Sequence, residues 1–171
     1  MAALESPKGI LNAYEICSAS DRMFGVAISG GDFRKCMQTK FSPDGVDMLA
    51  ARGQMLLAAR AAGIQCFDTV FTDLDDNEGF KAEVLQNKAM GFDGTSLINP
   101  KQIRLVHEVF APTEKEVKQA EAIVRAYKEQ SAAGVGVFTV NGKMIYIAFI
   151  PGAERTLRLA KACGMYEGDL V

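Results

Sequence analysis

The sequence contains no tryptophan, and its 10 phenylalanine and 4 tyrosine residues are scattered along the chain. These aromatic residues are not interleaved with basic ones, which argues against the stacking platform of a nucleic-acid-binding protein. Acidic and basic residues nearly balance, at 21 against 19, and the formal charge is −2. The net charge therefore gives no electrostatic attraction to nucleic acid or to an anionic membrane.

Long apolar runs are also missing, since none approaches the ~20 residues needed to cross a bilayer. We recognise no signal peptide. The cysteines form neither a C-x-x-C pair nor the spacing of a metal finger; they are Cys17, Cys36, Cys66 and Cys163. We therefore expect reduced thiols in a cytoplasmic protein with no membrane partner.

The chain is long enough for one domain or slightly more, and a chain of 171 residues can bury a real core. Its first part alternates apolar runs of strand length with helical patterns, which predicts a parallel α/β sheet. The predicted elements are a strand ending at Glu5, a helix Lys8–Ala19, a strand Arg22–Ser29, a polar connection Arg34–Phe41, a helix from Ser42-Pro43-Asp44 to Gly63, a strand Ile64–Phe71, a helix Glu78–Met90, a strand Thr95–Ile98 and a helix Lys101–Phe110.

The last part of the chain no longer alternates single strands with helices. Thr113 and Glu116 form a capping box that opens a helix reaching Ala132. Two alternating segments flank Asn141-Gly142 and predict a hairpin, and a short helix follows; these elements are 134–140, 143–149 and 151–164. Gly134-Val135-Gly136 is too short and poorly placed for a nucleotide loop. We expect two regions, residues 1–111 and residues 112–171.

Two carboxylates, Glu5 and Asp32, stand where predicted strands end and are separated by one strand–helix–strand unit. The carboxyl ends of neighbouring parallel strands lie at the same edge of the sheet, so both side chains are expected to lie close together there. Such a pair of carboxylates suits a hard cation such as Mg²⁺. Gly30-Gly31 lets the backbone approach a ligand. The alternative is that these acids cap the following helices or lie in solvent, because Ser6-Pro7 resembles a helix start.

Other polar residues give weaker signals. Asp68 lies near the end of the third predicted strand and is a further candidate for the site. The acidic run 72–78 lacks the glycine and glutamate register of a calcium loop, so we interpret it as a helix N-terminus. His107 is the only histidine and has no evident partner, which favours a surface or interface role.

Several long motifs make the chain recognisable. In order they are ALESPKGILNAYEI, SGGDF, LLAARAAGIQCFDTVFTDLDDNEGF, GFDGTSLINPKQI, HEVFAPTEKE and NGKMI. They resemble the C-terminal part of the citrate lyase β-subunits and, more widely, the HpcH/HpaI aldolase and citryl/malyl-CoA lyase family. The resemblance implies the C-terminal half of a (β/α)8 TIM-type barrel, about strands 5–8, followed by a helix, a hairpin and a short helix.

The resemblance also implies a site. Glu5, in a motif that includes Pro7, and Asp32 fall on the positions of the two Mg²⁺ ligands of that family. The N–H groups of Gly30, Gly31 and Asp32 are then expected to orient a substrate carboxylate. The resemblance assigns no catalytic residue in this chain, because Tyr146 stands at a position that is commonly acidic in the family.

The implied reaction is the Mg²⁺-dependent cleavage of a citryl thioester to oxaloacetate and an acetyl thioester, carried on coenzyme A or an acyl carrier protein. The implied partners are subunits of a citrate lyase complex, the carrier protein or a second copy of the chain. Since four barrel strands leave two open edges, we expect self-association. Two alternatives remain: an inactive remnant or subunit-binding module of the same ancestry, and a small α/β module whose acids are structural.

Overall fold

The computed structural model describes residues 1–132 and 136–171. The chain divides into two compact units, Met1–Phe110 and Ala111–Val171, and each is described by itself. Gly134 and Val135, from the motif rejected as a nucleotide loop, lie outside the described residues.

The first unit alternates short strands with helices, as the sequence predicts. Its elements are β1 (Ala2–Leu4), α1 (Pro7–Leu11), α2 (Ala13–Cys17), β2 (Gly25–Ile28), α3 (Gly30–Met37), α4 (Val46–Ala61), β3 (Gln65–Asp68), α5 (Asn77–Met90), β4 (Gly94–Thr95) and α6 (Lys101–Phe110).

The four strands of this unit form one parallel sheet in the order β1-β2-β3-β4. Leu4 lies opposite Ile28, and Val26 lies opposite Cys66. All four residues of β2 are buried, as expected for a central parallel strand. The carboxyl ends of β1 and β2 consequently lie side by side at one edge of the sheet.

The main core forms where alternate strand residues meet α1, α2 and α4. Its buried members are Leu4, Ile10, Ala13, Cys17, Val26, Ile28, Phe33, Met48, Ala51, Met55, Ala58, Ala59, Cys66 and Phe92. The intervening strand residues stay outside this cluster: Ala3, Ala27, Phe67 and Gly94 lie opposite one another in register. Ala3 is exposed and Phe67 is half-buried, so this row is only partly covered by the rest of the unit.

Three predictions about helices were wrong in their bounds, and the predicted strands are longer than the observed ones; the predicted strand Thr95–Ile98, for example, forms only as Gly94–Thr95. The predicted helix Lys8–Ala19 is interrupted at Asn12, whose side chain donates to the Lys8 carbonyl at 2.8 Å. The predicted polar connection Arg34–Phe41 begins inside a helix, because α3 runs from Gly30 to Met37.

The third correction concerns the start of α4. We predicted an N-cap at Ser42 with Pro43 in the first turn, whereas the helix begins at Val46. The Asp44 carboxylate instead accepts from the Ser42 hydroxyl and from the Val46 N–H, which closes a turn before the helix. Gly45 then takes a positive φ of 71°, a conformation that favours glycine.

The second unit contains α7 (Glu114–Ala132), β5 (Val137–Val140), β6 (Lys143–Tyr146), a 3₁₀ turn (Ile147–Phe149) and α8 (Ile150–Ala162). The predicted capping box is confirmed, since the Glu116 N–H donates to Thr113 Oγ1 and the Thr113 N–H donates to the Glu116 carboxylate. The predicted hairpin is confirmed too: Asn141 and Gly142 both have positive φ between β5 and β6.

The cysteines agree with the expectation of reduced thiols. All four are free, with Cys17 and Cys66 buried and Cys36 and Cys163 exposed. Among the described helices, none has both the length and the apolar character needed to span a membrane.

Candidate metal site at the carboxyl edge of the sheet

The ends of β1 and β2 bring Glu5 and the start of α3 to the same edge of the sheet. The Ser29 N–H donates to the Leu4 carbonyl at 2.9 Å, so the residues that follow the two strands begin from hydrogen-bonded neighbours. Glu5 comes next after Leu4, and Asp32 lies in the first turn of α3. Both carboxylate side chains belong to exposed residues.

Glu5 is not used as the cap of the helix that follows it. The Ser6 hydroxyl accepts the Gly9 N–H at 3.2 Å and caps α1, with Pro7 in the first turn. Pro7 therefore shapes the chain after Glu5 and brings no polar group to the site. The alternative in which Glu5 serves as a helix cap has no support in this geometry.

Asp32 is held only loosely by the protein. Its carboxylate accepts a long hydrogen bond of 3.4 Å from the Ser29 hydroxyl. Its position in the first turn of α3 is favourable because helix N-termini carry partial positive charge. In the part of the chain that the structure describes, neither Asp32 nor Glu5 has an ion-pair partner.

These two carboxylates fit a hard divalent cation. Mg²⁺ is usually bound by one or two carboxylates and completes its octahedron with water and substrate oxygens. Nothing lies within 4 Å of the position that a Cβ would take at Gly31, the residue before Asp32, so the space beside Gly31 is open. Among the described residues no three His, Cys, Asp or Glu side chains gather, so further ligands would have to come from water or substrate.

The three backbone N–H groups predicted to face a substrate differ in their environment. The Gly30 N–H donates to Thr69 Oγ1 at 2.8 Å and is engaged within the fold. Those of Gly31 and Asp32 have no acceptor among the described residues. First-turn N–H groups without an intrahelical partner favour anionic oxygens, so two of the three donors remain available.

Asp68 does not join Glu5 and Asp32. Its buried carboxylate accepts from Arg52 at 3.0 and 2.7 Å and from the Asn87 amide at 2.7 Å. Arg52 Nη2 also lies 3.3 Å from Glu83 Oε2. Burial raises the pKa of the Glu83 carboxyl, and the charge of Arg52 opposes that shift. Asp68 thus serves an internal ion-pair network and is already fully engaged.

The other sequence candidates lie elsewhere. Tyr146 ends β6 in the second unit, where it is exposed. Its ring packs edge-on against that of Phe149, with the ring centroids 5.0 Å apart. His107 is exposed on α6, as predicted. In the acidic run 72–78, the Asp76 carboxylate accepts the Gly79 N–H at 2.8 Å and caps α5, which confirms the interpretation as a helix N-terminus.

Sequence reasoning missed Thr69. It follows Asp68 directly and is buried, and its hydroxyl contacts a backbone group 39 residues earlier in the chain. A polar residue just after a buried strand was the available signal, but no spacing rule connects it with Gly30.

Comparison with known proteins gives a consistent result. The model of the HpcH/HpaI aldolase/citrate lyase family matches residues 1–100. The chain is 49% identical over 169 residues to the citrate lyase subunit beta of Leuconostoc mesenteroides subsp. cremoris, covering 99% of this chain and 56% of that protein. It is 37% identical over 168 residues to a (3S)-malyl-CoA thioesterase of Cereibacter sphaeroides, covering 98% and 59%.

Among solved structures, the chain is similar to the protein CitE of Mycobacterium tuberculosis in complex with magnesium, acetoacetate and coenzyme A. The TM-score is 0.78 at 29% identity, covering 94% of this chain and 60% of that one. The chain thus spans a little over half the length of the relatives that it matches.

Proposed function

The chain belongs to the HpcH/HpaI aldolase/citrate lyase family, and we propose that it carries the metal-binding edge of a carbon–carbon lyase of the citrate lyase β-subunit type. The observation that carries the proposal is the pair Glu5 and Asp32. These exposed carboxylates follow neighbouring parallel strands, and neither has a cation partner among the described residues. Magnesium and coenzyme A in the similar CitE structure support the same assignment.

The proposed architecture is the C-terminal half of a (β/α)8 barrel. Residues 1–111 are equivalent to about strands 5–8, and residues 112–171 form a C-terminal extension. The four parallel strands with intervening helices support this proposal, and so does the family match over residues 1–100. The similarity to CitE extends over 60% of that longer chain.

The proposed reaction is the cleavage of a citryl thioester to oxaloacetate and an acetyl thioester. The tertiary hydroxyl loses its proton, the carbon–carbon bond breaks, and its electron pair passes to the thioester fragment, which takes up a proton. No oxidant or reductant is needed. The acyl carrier is coenzyme A or an acyl carrier protein, and the family likeness leaves malyl-type thioesters as competing substrates.

The roles of the chain's residues in this proposal are binding and orientation. Glu5 and Asp32 hold Mg²⁺, which when bound supplies positive charge that polarises oxygen atoms of the oxo-acid part of the substrate. The N–H groups of Gly31 and Asp32 donate to a carboxylate of that part. These donors are fixed in the first turn of α3, so they need no reorganisation during the reaction.

The proposed partners are a second copy of the chain and other subunits of a citrate lyase complex. Among the described strands, β1 and β4 each pair on one side only, so both edges of the parallel sheet are open. Parallel sheets are normally covered on both faces, and the row from Ala3 to Gly94 lies outside the core cluster. Light scattering tests this point, and a monodisperse monomer would contradict self-association.

Metal binding tests the site. Mn²⁺ accepts the same hard oxygen ligands as Mg²⁺ and can be followed by electron paramagnetic resonance. We expect Glu5→Gln and Asp32→Asn each to weaken Mn²⁺ binding by about tenfold or more. The matched controls Glu15→Gln and Asp21→Asn also remove exposed carboxylates and should bind as the unsubstituted chain does.

Oxaloacetate release from citryl-CoA, with and without Mg²⁺, tests the reaction. Mg²⁺-dependent release supports the lyase. Metal binding without release would favour the non-catalytic module of the same ancestry. If Mn²⁺ does not bind, or binds equally to all variants, then the acids are structural and the proposed site is wrong.

A further inference from the structure

Thr69, the residue that follows β3, caps α3. Its hydroxyl, in a residue that is 2% exposed, accepts the Gly30 N–H at 2.8 Å. Ser29, the N-cap residue of α3, makes no side-chain capping bond of its own. The first turn of α3 therefore obtains a side-chain acceptor from the end of β3 and not from the adjoining sequence.

The fit between Gly30 and Thr69 is close. A Cβ at Gly30 would lie 2.8 Å from Thr69 Oγ1 and 3.1 Å from the Met48 sulfur, so only glycine lets the backbone approach this hydroxyl. Thr69 is itself held firmly. Its carbonyl accepts the Thr95 hydroxyl at 2.7 Å, and its neighbour Asp68 belongs to the buried ion pair with Arg52.

This contact lies two residues from Asp32. Because α3 has only eight residues, its first turn depends strongly on whatever fixes its start. The Asp32 carboxylate has only one long hydrogen bond, to Ser29, so the backbone of the first turn is what limits the region that the carboxylate can reach. The hydrogen bond between Gly30 and Thr69 thus fixes the first turn of α3, which contains Asp32, to the end of β3.

We propose that Thr69 is a positioning residue for the metal site: it sets the position of Asp32 by anchoring Gly30. This inference rests on the proposed function, in which Asp32 is a metal ligand. Thr69 contacts neither metal nor substrate in this assignment. Groups that orient metal ligands through direct hydrogen bonds commonly account for tenfold or more in affinity, and this sets the scale expected for a contact two residues from the ligand.

The test is Mn²⁺ binding by Thr69→Val, which keeps the shape of the side chain and removes the acceptor. We expect binding about tenfold weaker than in the unsubstituted chain. Thr69→Ser retains the hydroxyl and should restore most of the affinity, which loss of packing alone would not explain. Thr113→Val is the matched control, because it makes the same substitution at a threonine whose hydroxyl caps α7 in the second unit, and it should leave Mn²⁺ affinity within about twofold.

Each outcome is decisive. Unchanged Mn²⁺ affinity in Thr69→Val would overturn the positioning role and leave the proposed function intact. An equal loss in Thr113→Val would overturn it too, since the effect would then follow from the loss of any helix cap and not from the contact with Gly30. Absence of Mn²⁺ binding by the unsubstituted chain would overturn both the proposed function and this inference.

A second variant keeps the test sound if Thr69→Val does not fold. Gly30→Ala disrupts the same hydrogen bond at its donor residue, because the added Cβ would displace Thr69 Oγ1. We expect the same loss of Mn²⁺ affinity, with circular dichroism as the check that the fold persists. Full affinity in a folded Gly30→Ala chain would contradict the inference.

Discussion

Arg52 and Asp68 form a bidentate ion pair in which both side chains are 0% exposed. Arg52 Nε lies 3.0 Å from Asp68 Oδ1, and Nη2 lies 2.7 Å from Oδ2. Two residues of α5 also contact the pair: Asn87 donates to Asp68, and Glu83 forms an ion pair with Arg52. The network therefore joins α4, β3 and α5 beneath the carboxyl edge of the sheet.

Removing one member of this pair should be costly. We expect Arg52→Met to lower the free energy of unfolding by about 3–5 kcal/mol, because Asp68 would remain as a buried, uncompensated charge. Urea unfolding followed by circular dichroism measures the loss. The control Arg125→Met breaks the exposed pair with Glu121 and should cost less than about 1 kcal/mol. A similar small loss for both variants would contradict this account.

Glu83 should make stability depend on pH. Burial raises its folded-state pKa above the ordinary value of 4.5. Its contribution to stability is therefore fully present below about pH 4.5 and is lost as pH rises through the folded-state pKa. The stability of the unsubstituted chain relative to Glu83→Gln should consequently decrease between pH 4.5 and neutral pH, as measured by urea unfolding.

The comparison with Glu83→Gln cancels the titration of the other carboxyl groups, which are common to both chains. Glu15→Gln removes an exposed carboxylate and serves as the surface control. A relative stability that increases with pH would mean that attraction to Arg52 outweighs the effect of burial.

The four thiols should differ in reactivity. Burial raises the pKa of Cys66 to about 12 and also raises the pKa of Cys17, and both lie in the core. Iodoacetamide at pH 8 should label Cys36 and Cys163 in the folded chain and all four cysteines in denaturant, as read by mass spectrometry. Cys36→Ser should lose one of the two fast labels, and rapid native-state labelling of Cys66 would refute the prediction.

Two glycines should respond to alanine with opposite signs. A Cβ at Gly25 would lie 3.0 Å from the Phe67 ring and 3.3 Å from the Gln65 carbonyl oxygen, so Gly25→Ala should destabilise by about 1 kcal/mol or more. Gly53 lies inside α4 with open space at its Cβ position, and Gly53→Ala should stabilise by about 0.5–1 kcal/mol. Thermal unfolding of the two variants compares them directly, and shifts of the same sign would contradict the steric argument.

Elements with signals in their own sequence could be predicted closely. α6 has the predicted bounds Lys101–Phe110, and α7 begins at the capping box of Thr113 and ends at Ala132. The hairpin turn follows from Asn141-Gly142, whose two residues accept positive φ. In each case the determining contacts lie within a few residues, so local pattern is sufficient.

Features fixed by distant residues could not be predicted. Two glycines do not suggest a helix start, yet α3 begins at Gly30 because Thr69 supplies an acceptor 39 residues later. Asp68 resembled a site residue at the end of a strand, but its partner Arg52 lies on the preceding helix, with no spacing rule to reveal the pairing. The pair Glu5 and Asp32 could be proposed because it depends only on where adjacent strands end.

The hydrogen bond between Gly30 and Thr69 also bears on the order of folding. Residues 39 positions apart must meet before it forms, so the first turn of α3 gains this acceptor only after β3 has docked beside β2. Helix α4, with 16 residues and its own buried face, has no such requirement. The segment that carries Asp32 therefore obtains this cap no earlier than the pairing of β2 with β3, and until then the first turn of α3 has no side-chain acceptor for the Gly30 N–H.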